Sequence, residues 1–166
     1  MKNLKDLSLN EKIGQLLLIG IKGYILSEEM KNMIKEYKFG NFILFSYNIR
    51  DLNQLEKLTR DIHNEVIKSL GIIPFIAIDQ EGGLVTRIKD KNTYYPGSMT
   101  LASTNISNAE IIGHMMGKDL LSLGINMNLA PVLDVNNNPK NPVIGIRSYS
   151  DNPETVSQFG NSLIKG

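Results

Sequence analysis

The sequence contains no cysteine, and histidine occurs only at His63 and His114. The missing cysteines exclude disulfide bonds and thiolate metal sites. Two histidines, both within predicted helices, argue against a histidine-built metal centre. We therefore expect no metal site and no cofactor, and we interpret both histidines as structural side chains.

The sequence also lacks an excess of charge of one sign and a long apolar run. Its 18 basic and 17 acidic residues give a formal net charge of +1, without a cluster of lysines or arginines. Nothing therefore indicates nucleic acid or a membrane surface as a partner. The apolar stretch 16–21 is too short for a signal-peptide core, and no run approaches the roughly 20 apolar residues of a membrane span. We expect a cytoplasmic protein.

The sequence does contain an alternation of predicted strands and helices, without a linker or a repeat. Its 166 residues are 42% hydrophobic, which is enough for a sizeable core. Apolar segments predict four strands, the first of them buried, at residues 16–21, 41–45, 74–78 and 125–135.

Local signals predict where the helices begin and end. Two capping boxes, Ser8 to Glu11 and Ser107 to Glu110, mark helix starts, and Pro153 suits the first position of a last helix. Glycines are expected to end helices after residues 70 and 123. The predicted helices cover about 27–37, 52–70 and 109–123, with Met115 and Met116 of the last in the core. The connection 79–105 is long enough to be functional or to contain short elements of its own.

Strict alternation of strands and helices predicts an α/β fold with a parallel sheet and right-handed crossovers. Four β/α units fit either an open, doubly wound sheet or half of a (β/α)8 barrel. A whole barrel typically needs roughly 250 residues, so the barrel interpretation makes this chain incomplete. The pattern alone leaves both architectures open.

The most informative segment is the end of the third predicted strand. Its buried apolar run stops at Asp79 and Glu81 and is followed by Gly82 and Gly83. Burying a carboxylate is costly, and in parallel α/β folds ligands bind at this end of the strands. The glycines permit a tight turn and a close approach of the backbone to a ligand. The alternative is a strand followed by an acidic surface turn.

Four segments in order resemble family 3 glycoside hydrolases, especially their bacterial β-N-acetylhexosaminidase branch. The segment 77–87 reads AIDQEGGLVTR and resembles the family signature. The others are IGQLL at 13–17, FGNFILF at 39–45, and NMNLAPVLDV at 126–135 continuing to GIRSY at 145–149. The resemblance covers essentially the whole chain. It implies the N-terminal half of a (β/α)8 TIM-type barrel, with residues 1–166 as a single partial domain that lacks the C-terminal half.

The resemblance also implies substrate-binding roles for Asp79, Arg87 and Arg147. Asp79 would accept hydrogen bonds from hydroxyls of the terminal sugar, and the two guanidinium groups would donate to the same sugar. The alternatives are a structural Asp79–Arg87 ion pair and a solvated Arg147. Leu84 departs from the family, which often has arginine there, and we interpret this change as tolerated.

The other acids are interpreted as structural. We expect Glu81 to support the site without reacting, and Asp134 to organise the loop 136–141, with a direct ligand role as its alternative. The resemblance implies a retaining mechanism with an aspartate nucleophile and a histidine acid/base late in the barrel. Neither segment occurs here, so we expect no catalytic residue within this chain.

The resulting hypothesis is a glycosidase that releases terminal β-linked N-acetylglucosamine from cell-wall (peptidoglycan) fragments, as in peptidoglycan recycling, or from chitin oligosaccharides. One alternative is a β-glucosidase of the same family, and another is an inactive, truncated fragment that binds sugar. A third is a self-contained nucleotide-binding domain, for which GIKG at 20–23 is a poor phosphate loop.

Overall fold

A computed structural model describes residues 1–89 and 94–166. The chain forms two compact units, one comprising Met1–Ile78 and Ser122–Met127, the other Asp79–Leu121 and Asn128–Gly166. The predicted connection 79–105 includes residues 90–93, which lie outside the described residues. As expected, it contains short elements of its own, an isolated bridge between Gly82 and Val85 and a one-turn helix.

Over residues 1–89 and 94–166 the sheet has four strands in the order β1-β2-β3-β4. They are Leu18–Gly20, Asn41–Leu44, Ile76–Ile78 and Met127–Asn128. β1 pairs with β2, and β2 with β3, both in parallel. A doubly wound sheet reverses its strand order at a switch point, whereas consecutive strands of a barrel follow the chain. The order therefore confirms the α/β fold with half of a (β/α)8 barrel.

Two of the predicted strands differ from the structure. β1 is shorter than predicted and is not buried, because it lies at the edge of this sheet. The Leu18 residue, for example, is 40% exposed to solvent. β4 contains two of the eleven predicted residues. Pro131 lacks an N–H and cannot donate to a strand ladder, so the apolar pattern of 125–135 does not continue as a strand.

Six α-helices accompany the strands in the described residues. They are α1 Leu9–Gly14, α2 Glu28–Tyr37, α3 Leu52–Leu70, α4 Ser98–Ala102, α5 Ser107–Ser122 and α6 Pro153–Lys165. The first capping box is confirmed, because Ser8 and Glu11 exchange side-chain and backbone hydrogen bonds. Gly71 follows α3 with φ of 71°, and Gly124 lies two residues after α5 with φ of 73°, both in the left-handed region that glycine favours.

The second predicted capping box is wrong. Ser107 is already the first helical residue of α5, so its side chain does not occupy the capping position. The Asn105 side chain takes this role, and its Oδ1 accepts from the backbone N–H of Ser107 at 3.0 Å. Asparagine competes well with serine for this position, which explains the displaced helix start.

The first unit has its core on two strands and one helix. Most of its large, fully buried apolar side chains belong to β2, β3 and one face of α3: Phe42, Leu44, Ile76, Ile78, Leu55, Leu58, Ile62 and Val66. Ile34 of α2 and Ile125 join them. Burial of β3 on both faces confirms the prediction from its uninterrupted apolar run.

The second unit has a smaller core. It contains Leu101, Ala109, Tyr149, Val156 and Phe159. The rings of Tyr149 and Phe159 stack with centroids 5.6 Å apart. Burial raises the pKa of the Tyr149 phenol to about 12, so this hydroxyl stays protonated throughout the physiological range.

The histidines and methionines of the helices lie at varied depths. His63 is half-buried on α3, and His114 is exposed on α5. Met116 is buried as predicted, whereas Met115 is 49% exposed, so its predicted core position is wrong. Within residues 1–89 and 94–166 no cluster of three potential metal-ligating side chains occurs, and no helix is long and apolar enough to cross a bilayer.

Two glycines of α5 make a matched stability test. A Cβ on Gly113 would lie 2.1 Å from the carbonyl oxygen of Leu163 in α6, whereas a Cβ on Gly117 would meet nothing within 4 Å. We expect Gly113→Ala to lower the free energy of unfolding by about 1–3 kcal/mol through overpacking. Gly117→Ala should raise it by up to about 1 kcal/mol through helix propensity. Urea denaturation measures both, and changes of the same sign would contradict the close approach of α5 and α6.

Candidate functional site

The site begins where β3 ends. Asp79 is the first residue of the second unit, and its Oδ2 accepts from Nη2 of Arg87 at 2.9 Å. The side chains of Asp79 and Arg87 are 22% and 29% exposed, so the pair is shielded and still reachable from solvent. The two residues therefore form the ion pair that the sequence left as an alternative, and their role toward a sugar stays a prediction.

Gln80 holds the backbone of Arg87 in place. Its side chain is buried, and its Oε1 accepts from the backbone N–H groups of Arg87 at 2.8 Å and Ile88 at 3.2 Å. Asn128 at the end of β4 fixes Gln80 in turn, because its amide accepts from Gln80 N and donates to Gln80 O at 3.0 and 2.9 Å. Sequence reasoning missed both amides, although a polar side chain directly after a buried strand is a usable signal.

A glycine turn carries the chain from β3 back toward Arg87. Gly82 and Gly83 have φ of 87° and 59°, and a Cβ on Gly82 would lie 2.4 Å from the carbonyl oxygen of Pro96. The backbone N–H of Glu81 donates to Val85 O at 2.9 Å, which closes the turn. Both positions thus require glycine, because the φ angles are positive and the neighbouring backbone lies too close for a Cβ atom.

A second ion pair joins Glu81 to Arg147. Nε and Nη2 of Arg147 donate to the two carboxylate oxygens of Glu81 at 2.9 and 2.7 Å, and Nη1 donates to Val143 O at 3.2 Å. The Glu81 side chain is only 7% exposed, and that of Arg147 is 27% exposed. The hydrogen bonds to Glu81 raise the pKa of the Arg147 guanidinium. Arg147 is therefore not a freely solvated loop residue.

The charged side chains of this region interact with one another. The carboxylates of Asp79 and Asp134 also stabilise the Arg147 cation, although more weakly than Glu81 does. Asp134 is exposed, and its main-chain carbonyl accepts from Ser148 Oγ. Carboxylate oxygens accept hydrogen bonds and guanidinium N–H groups donate them, so the region presents both kinds of partner. The region can therefore bind a ligand that carries several hydroxyl groups.

A cavity of about 440 Å³ opens beside the second ion pair. We call it the side cavity, and its lining residues are Glu81, Gly82, Gly83, Leu84, Tyr94, Pro96, Gly97, Ser98, Thr100, Ile146 and Arg147. Of the three predicted binding residues, Arg147 lines this cavity, whereas Asp79 and Arg87 do not. The structure thus places a concave surface next to Arg147.

The chain matches a known family over almost its full length. The description "Glycosyl hydrolase family 3 N terminal domain" fits residues 8–166. "Beta-hexosaminidase A" of Pseudoalteromonas piscicida is 40% identical over 146 residues, which are 84% of this chain and 24% of that protein. "Beta-hexosaminidase" of Photobacterium profundum is 36% identical over 152 residues, 90% of this chain and 44% of that protein.

Solved structures agree with these relatives. A family 3 β-N-acetylglucosaminidase from a Paenibacillus species superposes with a TM-score of 0.90 at 40% identity, over 95% of this chain and 30% of that chain. NagZ from Neisseria gonorrhoeae, in complex with N-trifluoroacetyl-D-glucosamine, superposes with a TM-score of 0.80 at 30% identity, over 90% and 45%. This chain spans less than half the length of each of these four proteins.

Proposed function

The chain belongs to glycosyl hydrolase family 3, and we propose that it carries the sugar-binding half of a β-N-acetylhexosaminidase. In this proposal residues 1–166 are a single partial domain, and the C-terminal half of the barrel completes it. We call the polypeptide with both halves the complete polypeptide. The names of the relatives support this activity, since they are called β-hexosaminidases and β-N-acetylglucosaminidases.

The single observation that carries the proposal is the presence of two ion pairs after β3, in each of which the acid is less exposed than its arginine partner. Asp79 with Arg87, and Arg147 with Glu81, bring acceptors and donors to the carboxyl end of a barrel strand. We propose that Asp79 accepts from two adjacent hydroxyls of a terminal N-acetylglucosamine, while Arg87 and Arg147 donate to its oxygens. A carboxylate has several acceptor sites, and a guanidinium fork can donate to two oxygens at once.

The reacting groups lie outside residues 1–166 in this proposal. Retaining hydrolysis needs a carboxylate nucleophile close to an acid/base, and family resemblance assigns these roles to an aspartate and a histidine of later barrel segments. The two acids that follow β3 already form ion pairs, Asp79 with Arg87 and Glu81 with Arg147. Neither a metal ion nor a cofactor enters the proposed reaction, and a cytoplasmic location stays a prediction that cell fractionation tests.

The proposed activity is tested with two chromogenic substrates that differ only at the sugar 2-position. We expect the complete polypeptide to hydrolyse 4-nitrophenyl N-acetyl-β-D-glucosaminide at least about tenfold faster, in kcat/KM, than the matching β-D-glucoside, the scale of one good polar contact. A preference for the glucoside would identify the β-glucosidase alternative. No hydrolysis of either substrate by the folded protein would leave only a sugar-binding fragment and overturn the proposed activity.

Glu81 is expected to act by positioning Arg147. Glu81→Gln removes the negative charge that accepts two hydrogen bonds from the Arg147 guanidinium. A hydrogen bond to a charged group contributes about 1.5–3 kcal/mol, so we expect kcat/KM to fall roughly tenfold. Steady-state kinetics of the complete polypeptide measure this effect. A smaller loss in Glu81→Asp would agree with a positioning role.

Glu65→Gln provides the matched control for Glu81→Gln. Glu65 on α3 is similarly shielded, with a side chain 10% exposed, and it contacts Ser69 at 2.7 Å and Lys35 at 3.5 Å. We expect this substitution to lower the melting temperature and leave kcat/KM unchanged. Equal kinetic losses in the two variants would show that Glu81 has no specific role in the site.

A further inference from the structure

The side cavity includes Arg147, one of the proposed sugar-binding residues, and Glu81, which holds it. We propose that it binds the group to which the terminal N-acetylglucosamine is attached, and that it takes an uncharged sugar in preference to one that carries a carboxylate. This inference rests on the proposed function, and it names the substrate class of the same site. The proposal follows from the charge, the surface chemistry and the size of the cavity.

The charge of the side cavity is balanced internally. Its charged lining residues, among those the structure describes, are Glu81 and Arg147, and these two form a bidentate ion pair. The charges of Asp79 and Asp134 also act on Arg147. With Arg87, the partner of Asp79, these groups comprise three carboxylates and two guanidinium groups, so the surroundings favour cations over anions. A carboxylate on the ligand would meet this field without an uncommitted cation in the described lining.

The walls of the side cavity suit the apolar face of a sugar ring. Leu84, Tyr94 and Ile146 line it and remain 73%, 73% and 54% exposed. An exposed tyrosine offers a flat apolar ring together with a hydroxyl, a combination that matches the C–H face and the hydroxyls of a pyranose. Ser98 and Thr100 add hydroxyl groups to the lining. The volume of about 440 Å³ lies in the range of small-molecule pockets.

The two substrate classes of the proposed enzyme differ in this property. In chitin oligosaccharides the next residue is a second N-acetylglucosamine, which is uncharged. In peptidoglycan fragments it is N-acetylmuramic acid, whose lactyl carboxylate is free in the bare disaccharide. In fragments that keep the stem peptide this carboxyl is amide-linked, and the peptide carries the carboxylates. The balanced charge of the side cavity therefore favours chitin-type oligosaccharides.

The test compares two disaccharides on the complete polypeptide, N,N′-diacetylchitobiose and N-acetylglucosaminyl-β-1,4-N-acetylmuramic acid. We expect kcat/KM to favour the uncharged disaccharide by about tenfold or more, the scale of one charged interaction. Leu84→Arg places a cation in the lining and should shift the ratio toward the acid by about tenfold. Ile146→Arg, at a second exposed lining position, should shift it in the same direction. Leu121→Arg, on the exposed face of α5, is the matched control and should leave the ratio unchanged.

A wild-type ratio near one, or a preference for the acid, would overturn the inference. So would Leu84→Arg and Ile146→Arg variants whose ratios equal that of Leu121→Arg. Hydrolysis of 4-nitrophenyl N-acetyl-β-D-glucosaminide by the wild type distinguishes a failure of this inference from a failure of the proposed function. If this substrate is hydrolysed and the disaccharide ratio is wrong, the inference alone fails. If the folded protein hydrolyses none of the substrates, both the proposed function and this inference are wrong.

Discussion

Asp79→Ala in the complete polypeptide is expected to raise KM and to lower kcat/KM by roughly 10- to 150-fold. The substitution removes a charged acceptor for sugar hydroxyls, an interaction of about 1.5–3 kcal/mol. It also releases Arg87, whose Nη2 donates to Asp79 at 2.9 Å. Steady-state kinetics with 4-nitrophenyl N-acetyl-β-D-glucosaminide measure the effect, and Arg147→Ala should act in the same direction.

Asp61→Ala is the control for the loss of a carboxylate. Asp61 lies on α3 and forms an i,i+4 ion pair with Lys57 on the helix surface, and such pairs contribute little to stability. We expect its kinetics to match the wild type, as should those of His114→Gln at an exposed position of α5. A large defect in His114→Gln, with none in Asp79→Ala, would invert the assignment of the site.

Residues 1–166 alone are expected to show no hydrolysis of the same chromogenic substrate. In the proposed function this chain holds the sugar, and the nucleophile and the acid/base belong to the other half of the barrel. Enzymes commonly accelerate reactions by about 10⁶-fold or more, and loss of the reacting groups forfeits most of that factor. The measurement is release of 4-nitrophenol by the purified chain, with circular dichroism to establish that it is folded.

Contamination is excluded by repeating this assay with the Asp79→Ala form of the chain. Equal turnover in both preparations comes from another enzyme. Turnover by the wild-type chain that falls at least about tenfold in the variant would show that residues 1–166 contain reacting groups, and the proposed assignment of catalysis to later barrel segments would then be wrong.

Helix ends and the buried strand could be predicted from the sequence because their signals are local. The Ser8 capping box and Pro153 at the start of α6 each involve residues within one turn of the helix. The apolar run before Asp79 similarly predicts a strand buried on both faces. The error at Ser107 has the same local character, since Asn105 offered an equally good cap two residues earlier.

The contacts that build the site could not be predicted in this way. Glu81 and Arg147 are 66 positions apart, and no periodicity or turn signal relates them. Gln80 and Asn128 meet only because β3 and β4 are neighbours in the sheet. Resemblance to the family named Arg147, but the structure alone shows which acid holds it and which cavity it lines.

The most direct test of the proposed division between binding and reacting halves is a map of the covalent intermediate. Retaining glycosidases form a glycosyl-enzyme, which a fluorinated N-acetylglucosaminyl fluoride can trap on the nucleophile. Mass spectrometry of the labelled, digested complete polypeptide locates the modified peptide. We expect the label on a carboxylate outside residues 1–166, and its accumulation to be slowed by Asp79→Ala. A label on Asp79, Glu81 or Asp134 would contradict the proposed division.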